Sequence, residues 1–226
     1  MADLRTGAYG QYYGSPWGSS EVLTKAQMQV NALYIYSSLS DKGWTDEAIA
    51  GVLGNMEHES AINPGRWQGE NIGSGPAYGL VQWDPWTKYV NWCTDQGLSD
   101  PSEMDNAIAR IIYELENGEQ YYKNVYPYTF KEFVKSTDSP YTLACAFAFD
   151  YERSWVTLYG TEAEKEALRQ ERGGSAEDWY TYITGNDPTP PDPDYPGGGG
   201  SGGSAIKRKG TGYKFVLFGK RRRIIT

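Results

Sequence analysis

Seven consecutive apolar residues, Leu143-Ala144-Cys145-Ala146-Phe147-Ala148-Phe149, constrain this chain more than any other stretch. Preceded by Ser139-Pro140, a good helix start, they predict a helix over 140–152 that is apolar nearly all round. Such a helix is stable only at the centre of a fold, so the remainder must supply amphipathic partners.

Those partners are legible. From Thr24 a stripe of Met28, Ala32, Ile35 and Leu39 repeats at helical spacing and ends by Gly43. Trp44-Thr45-Asp46-Glu47-Ala48-Ile49 reads as a second start: Thr45 caps, acids fill the first turn, and Trp44 staples against Ile49. Ile49, Val52, Leu53 and Met56 give that helix its buried face. Further helices are expected at 85–96, 102–116, 129–136, and from Thr161 to near Thr184 with a break at Gly173-Gly174. Residues 63–82 are dominated by Asn, Pro and Gly, which predicts turns and a small sheet. Residues 1–23 are rich in Gly, Tyr and Ser without a sustained period and read as an irregular arm. The Pro-rich then Gly/Ser-rich stretch 186–204 reads as a linker. The expected organisation is therefore arm 1–23, folded domain 24–185, linker 186–204 and tail 205–226, in an α+β, mainly α class.

Charge separates the tail from the body. Residues 205–226 hold eight basic residues and no acidic one, leaving 13 basic against 29 acidic residues in 1–204, a balance of −16. An acidic body argues against nucleic acid as substrate. No run of about 18 apolar residues occurs, so no membrane span is expected. The first residues, Met1-Ala2-Asp3-Leu4-Arg5, lack the pattern of a secretory signal. Cys93 and Cys145 sit in apolar helical patterns and read as buried free thiols. His58 is the single histidine, and the cysteines lack paired spacing, so neither a metal site nor any other cofactor is expected. A cysteine peptidase would need His58 to meet one of the thiols, yet His58 falls on the solvent side of its helix.

The chemistry points to Gly54-Asn55-Met56-Glu57-His58-Glu59-Ser60. At about 100° per residue, Glu59 lies two turns after Val52 on nearly the same azimuth. A carboxyl at the edge of the buried stripe has its charged form disfavoured by desolvation and can donate a proton near neutrality. Glycosidases need such an acid. A salt-bridged glutamate at a helix end is the alternative. After the Gly-rich turn Gly73-Ser74-Gly75-Pro76 comes Tyr78-Gly79-Leu80-Val81-Gln82-Trp83.

A helix ending in Glu-Ser, a Gly-rich turn and Gly-Leu-x-Gln together are similar to the lysozyme superfamily, lytic transglycosylases included. Asn31-Ala32-Leu33-Tyr34-Ile35, Gly43-Trp44-Thr45, the run from Gly54 through Gln68, Gly79-Leu80-Val81-Gln82-Trp83, Tyr151-Glu152-Arg153 and Glu171-Arg172-Gly173 resemble the phage tail lysozyme family more closely. The family includes lysozyme domains in tail-tip proteins of small podophages of Gram-positive bacteria. The resemblance covers roughly residues 24–185. It implies a lysozyme-like helical domain with a small β element, bacterial peptidoglycan as partner, a virion location, and muramidase action during DNA entry. It makes Glu59 the catalytic acid. Glu70 and Ser74, eleven and fifteen residues later, occupy places comparable to the family's second carboxylate and hydroxyl, with Asp84 in reserve as either a carboxylate or a helix cap before Pro85. Gln82 hydrogen-bonds near the sugar or the acid. Tyr78, Trp83, Tyr151 and also Trp67 stack on sugar faces or belong to the core. Tyr151-Glu152-Arg153 braces the cleft, with a buried Glu152–Arg153 pair as the simplest arrangement.

Two other functions stay open from sequence. A lytic transglycosylase needs one carboxyl group, because the substrate's own hydroxyl attacks. A non-catalytic wall-binding tail component would keep the fold alone. In the tail, Tyr213-Lys214-Phe215-Val216-Leu217-Phe218 reads as a strand with a possible return at Arg222-Arg223-Ile224-Ile225. Such a hairpin is too small to be stable alone, so 205–226 is expected to attach the domain to phage tail or tail-tip proteins.

Overall fold

The computed structural model describes residues 1–69 and 72–185. The expectations for Glu70, the linker 186–204 and the basic tail 205–226 lie outside the described residues. Among these residues the chain is mainly helical with one small sheet, as expected. The sheet pairs β1 (Asp3–Gly7) with β2 (Gly10–Gly14). The helices are α1 (Lys25–Asp41), α2 (Asp46–Ser60), α3 (Thr87–Asp95), α4 (Met104–Asn117), α5 (Phe130–Phe133), α6 (Pro140–Phe147), α7 (Trp155–Tyr159) and α8 (Glu162–Ile183). A π-helical turn at Ala148–Glu152 continues α6.

Local chemistry starts these helices where the sequence places them. Thr24 and Thr161 each form a reciprocal capping box, with Gln27 and Glu164. Thr45 Oγ1 accepts from Ala48 N at 3.2 Å, with Asp46 and Glu47 in the first turn of α2. Ser139 caps α6 ahead of Pro140. The apolar run is central: Leu143, Ala144, Ala146 and Phe147 are wholly enclosed, and α6 packs against both α2 and α8.

The three helices meet through glycines. A methyl on Gly51 would lie 3.0 Å from Ala144 N of α6. One on Gly54 would lie 2.7 Å from Arg172 O and 2.8 Å from Ala176 N of α8. At these two positions no side chain fits between the backbones.

Three expectations are corrected. The arm 1–23 is not irregular throughout, since residues 3–14 form an antiparallel hairpin with Asp3 opposite Gly14 and Gly7 opposite Gly10. What orders it comes from elsewhere in the chain. Asn31 of α1 accepts from Tyr13 N at 2.7 Å and donates to Tyr13 O at 2.8 Å, Arg5 Nη1 donates to Ser102 Oγ at 2.9 Å, and Tyr12 is buried against Tyr34. The sheet expected in 63–82 is limited to single bridges, Trp67 with Tyr78 and Tyr78 with Trp83, among turns. Helix α8 runs unbroken through Gly173-Gly174. Gly173 sits against the Tyr141 ring, where any side chain would collide, so the glycine serves close packing instead of ending the helix.

Gly54→Ala should lower stability by about 1–3 kcal/mol through overpacking, although alanine in an exposed helix interior adds about 1 kcal/mol relative to glycine. A urea midpoint unchanged or raised in the variant would show that α2 and α8 are not locked at this position.

Candidate active site

The last turn of α2 carries Glu57, His58, Glu59 and Ser60, and each faces a different neighbour. Ser60 is buried and its hydroxyl donates to Leu80 O at 2.8 Å and Met56 O at 3.1 Å. One bond thus fastens the Glu-Ser helix end to the Gly-Leu-x-Gln loop twenty residues on. Beyond it, Ala61 and Ile62 adopt left-handed backbone at φ 52° and 53° and turn the chain away from the helix. Asn31 Nδ2 then holds Ile62 O at 2.7 Å.

The loop completes itself against Arg66. Gly79 N donates to Arg66 O at 2.9 Å, and Gln82 Nε2 donates to Arg66 O at 3.1 Å and Gly79 O at 2.9 Å. The Gln82 amide nitrogen therefore shapes the loop backbone. Gly79, at φ 89°, leaves room for the Trp83 ring, which a methyl would approach to 2.8 Å. The Arg66 backbone is so held while its guanidinium acts electrostatically on Glu59.

Glu59 lies at the rim of the core, its side chain 22% exposed. Its Oε1 accepts from Arg172 Nη2 of α8 at 2.8 Å. Arg172 is in turn fixed by Nη1, which donates to Asn55 O at 3.1 Å. Burial pushes the Glu59 proton affinity up, opposed by Arg172 and Arg66 and reinforced by Glu171, and burial wins. The carboxyl is therefore both half-buried and salt-bridged, combining the two alternatives that its position in the sequence left open.

Glu152, at the end of the π-helical turn, completes the cluster. It forms no pair with Arg153, whose guanidinium lies 4.5 Å over the Tyr122 ring. Its Oε1 is sealed from solvent with no hydrogen-bond partner among the described residues. Burial first, then the charges of Glu59 and Glu114, hold its proton affinity well above the usual carboxyl range against the pull of Arg172. Arg172 Nε is also buried without a hydrogen bond, with Glu171 Oε2 at 3.9 Å. Sequence reasoning gave Glu152 only a bracing role or a pair with Arg153, and gave Arg172 none. The Tyr151-Glu152-Arg153 and Glu171-Arg172-Gly173 motifs contain the only signal that could have found them.

The remaining candidates fall elsewhere. Tyr78, Trp83 and Tyr151 are buried, as the core alternative had them, and so is Trp67. Trp83 stacks on Tyr89 at 4.3 Å and donates Nε1 to Glu114 Oε1 at 3.1 Å. Tyr151 stacks on Phe147 at 4.2 Å and its hydroxyl donates a hydrogen bond to Glu114. Tyr78 packs at 4.6 Å on Trp67. These rings back the loop from inside and offer no free face. Ser74 is exposed on the turn, and no hydrogen bond ties it to the Glu59 cluster. Asp84 is exposed and is not a cap, since α3 starts at Thr87 without any side-chain capping bond. His58 faces outward, with Nε2 2.8 Å from Ser175 Oγ and Nδ1 3.4 Å from Glu171. Both cysteines are free and buried, as expected, and burial pushes their thiols up to about 11.

An acid that binds its proton more tightly when folded lowers stability as pH rises from its unfolded value, about 4.3, through its folded value. Glu152→Gln removes that penalty. Its unfolding midpoint should exceed the wild type's at pH 7 and above, and the gap should close below about pH 4. Denaturant titrations at four pH values check this, and a variant less stable at pH 7 contradicts it.

The family profile of the phage tail lysozymes matches residues 30–183. Morphogenesis protein 1 of Bacillus phage B103 is 42% identical over 174 residues, covering 76% of this chain and 44% of that protein. The chain thus spans less than half the length of that relative. Glu59, the Gly-Leu-x-Gln loop, Glu152 and Arg172 all fall inside the matched residues. With the profile spanning most of the helical body and this identity beside it, the chain belongs to the phage tail lysozyme family.

Proposed function

We propose that the protein is a virion-associated muramidase that cleaves the peptidoglycan strand between N-acetylmuramic acid and N-acetylglucosamine and opens the wall for phage DNA entry. The observation that carries this reading is Glu59: a half-buried carboxyl with raised proton affinity, at a helix end bonded through Ser60 to a Gly-Leu-x-Gln loop. Such a group donates its proton to the glycosidic oxygen as positive charge develops at the anomeric carbon. Glu70 is the proposed second carboxylate, activating a water or facing that charge. Ser74 and Gln82 are proposed to contact the substrate from the turn and the loop, Gln82 through the amide oxygen that its backbone bonds leave over. Membership of a tail lysozyme family, with a phage morphogenesis protein as relative, supports a virion location and peptidoglycan as partner. Residues 205–226 are proposed to attach the domain to tail or tail-tip proteins.

Glu59→Gln should abolish release of soluble fragments from purified peptidoglycan while unfolding stays cooperative. Turnover within tenfold of wild type would rule out the assignment. Mass spectrometry of the wild-type fragments should find reducing ends, and anhydro ends would make the enzyme a transglycosylase. Glu70→Gln in the same assay should slow hydrolysis, and full activity would remove Glu70 from the mechanism. Truncation after Asn186 should leave activity on isolated peptidoglycan intact but lose the protein from assembled particles. Incorporation that survives truncation would refute the attachment role.

A further inference from the structure

We propose that the Pro-rich segment 188–196 of this chain docks, as a polyproline II strand, in a tyrosine-walled groove between the N-terminal hairpin, α1 and the end of α8. The inference does not depend on the muramidase reading.

The groove has a volume of about 300 Å³. Three segments far apart in sequence build it: Tyr9 from the hairpin turn, Gln29, Val30, Leu33 and Tyr34 from α1, and Tyr182 from the last turn of α8. Its walls are fixed. Tyr9 meets Tyr34 edge-on at 5.9 Å. The Tyr34 hydroxyl donates to Asp105 Oδ1 at 2.5 Å and the Tyr9 hydroxyl to Asp41 Oδ2 at 3.1 Å. Leu33 stays 43% exposed, while Met28, Ala32, Ile35 and Leu39 of the same helix are buried in the core. None of the described residues lining the groove is charged. Pockets that hold small ligands run from about 300 to 1,000 Å³, so this one suits a narrow ridge of chain. Aromatic-lined grooves of this kind take Pro-rich segments, because a polyproline II strand is formed before it binds and has little entropy left to lose.

The occupant is named by where the chain goes next. Tyr182 lines the groove, and three residues later Gly185, at φ 79°, has the left-handed backbone that turns a chain off a helix end. Asn186-Asp187-Pro188-Thr189-Pro190-Pro191-Asp192-Pro193-Asp194-Tyr195-Pro196 follows. At about three residues per turn, Pro190, Pro193 and Pro196 fall on one edge of a polyproline II strand. Pro188 and Pro191 begin the next edge, which ends in Asp194, and Thr189, Asp192 and Tyr195 take the third. One edge is therefore proline throughout, and Asp192 points elsewhere. That is the face an uncharged groove of tyrosine and leucine selects. At about 3.1 Å per residue, the five steps from Gly185 to Pro190 span about 16 Å, so the ridge begins within reach of Tyr182. A tether this short holds the segment at roughly millimolar local concentration. The chain's own segment then fills the groove ahead of a separate molecule, even where the contact itself is weak.

The groove stands apart from the catalytic candidates. Tyr182 lies ten residues beyond Arg172 on α8, about 15 Å along the helix axis. A docked segment leaves the surroundings of Glu59 open and gives the Gly/Ser stretch 197–204 a fixed starting point on the domain.

The test uses the full-length chain labelled with nitrogen-15 and compares wild type with Leu33→Lys and with Pro190→Ala/Pro193→Ala. Leu33 is exposed and the prolines lie beyond α8, so both variants should keep the wild-type unfolding midpoint. Backbone order parameters at Thr189, Asp192 and Asp194 should be about 0.8 in wild type, as in rigid backbone, and should fall below about 0.6 in both variants. Cross-peaks between the δ protons of Pro190 or Pro193 and the rings of Tyr9 or Tyr182 should be present in wild type and disappear with the ordering. Wild-type values below about 0.6 at all three residues, or values that either variant leaves unchanged, overturn the proposal. Ordering that grows with protein concentration also overturns it, because another molecule's segment then occupies the groove. The order parameters are read without substrate, so the result stands whether or not the chain cleaves glycan.

Discussion

The approach of α8 to α2 over Gly54 governs the site. Because residue 54 has no side chain, the α8 backbone at Arg172 and Ala176 can lie directly on α2. That closeness lets Arg172 reach both Asn55 O and the Glu59 carboxyl. It also removes water from one side of Glu59, which raises the cost of its charge. A larger residue at 54 would relax both effects together. The α8 helix is held from the other side by the Gly173–Tyr141 contact and by its packing on α6.

Desolvation and pairing oppose each other at Glu59, and desolvation is the larger of the two. Arg172 and Arg66 favour the carboxylate, while burial and Glu171 favour the acid. A single well-formed buried pair would settle as a stable ion pair with no proton to offer. At Glu59 burial outweighs that pairing, so the proton is held more tightly than on a free carboxyl. In the neighbouring Glu114 network every acceptor has donors, which fits a strut that ties Trp83 of the loop to Tyr151 and Arg110.

The segment between α2 and α3 has almost no regular secondary structure, yet its backbone positions Arg66 and Gln82. Its order comes from two sources. Buried aromatics, Trp67, Tyr78, Trp83 and Tyr89, form a contiguous stack behind it. Side-chain hydrogen bonds from Ser60, Asn63 and Gln82 replace the ladder a sheet would have made. Asn63 also accepts from Ser15 N at 3.0 Å and donates to Ser15 Oγ at 2.7 Å, so the N-terminal segment is part of the same support. The aromatics that resemblance suggested for sugar binding are spent on this support.

Local signals were legible because they are local. The stripe of α1, the Thr45 cap of α2, the central apolar α6 and the position of Glu59 beside Val52 depend on residues within a few turns of one another. The hairpin at 3–14 was not legible, because its Tyr and Gly residues carry no two-residue period and its fastenings, Asn31 and Ser102, are far along the chain. The continuity of α8 through two glycines was hidden for a similar reason, as propensity favours a break and only the Tyr141 ring explains the glycine. Sequence alone determined a mainly helical body with an acid at the end of its second helix. Tertiary structure alone decided that Arg172 and Glu152, from segments about a hundred residues downstream, would share that acid's surroundings. Electrostatic coupling follows distance in space, which no periodicity along the chain encodes.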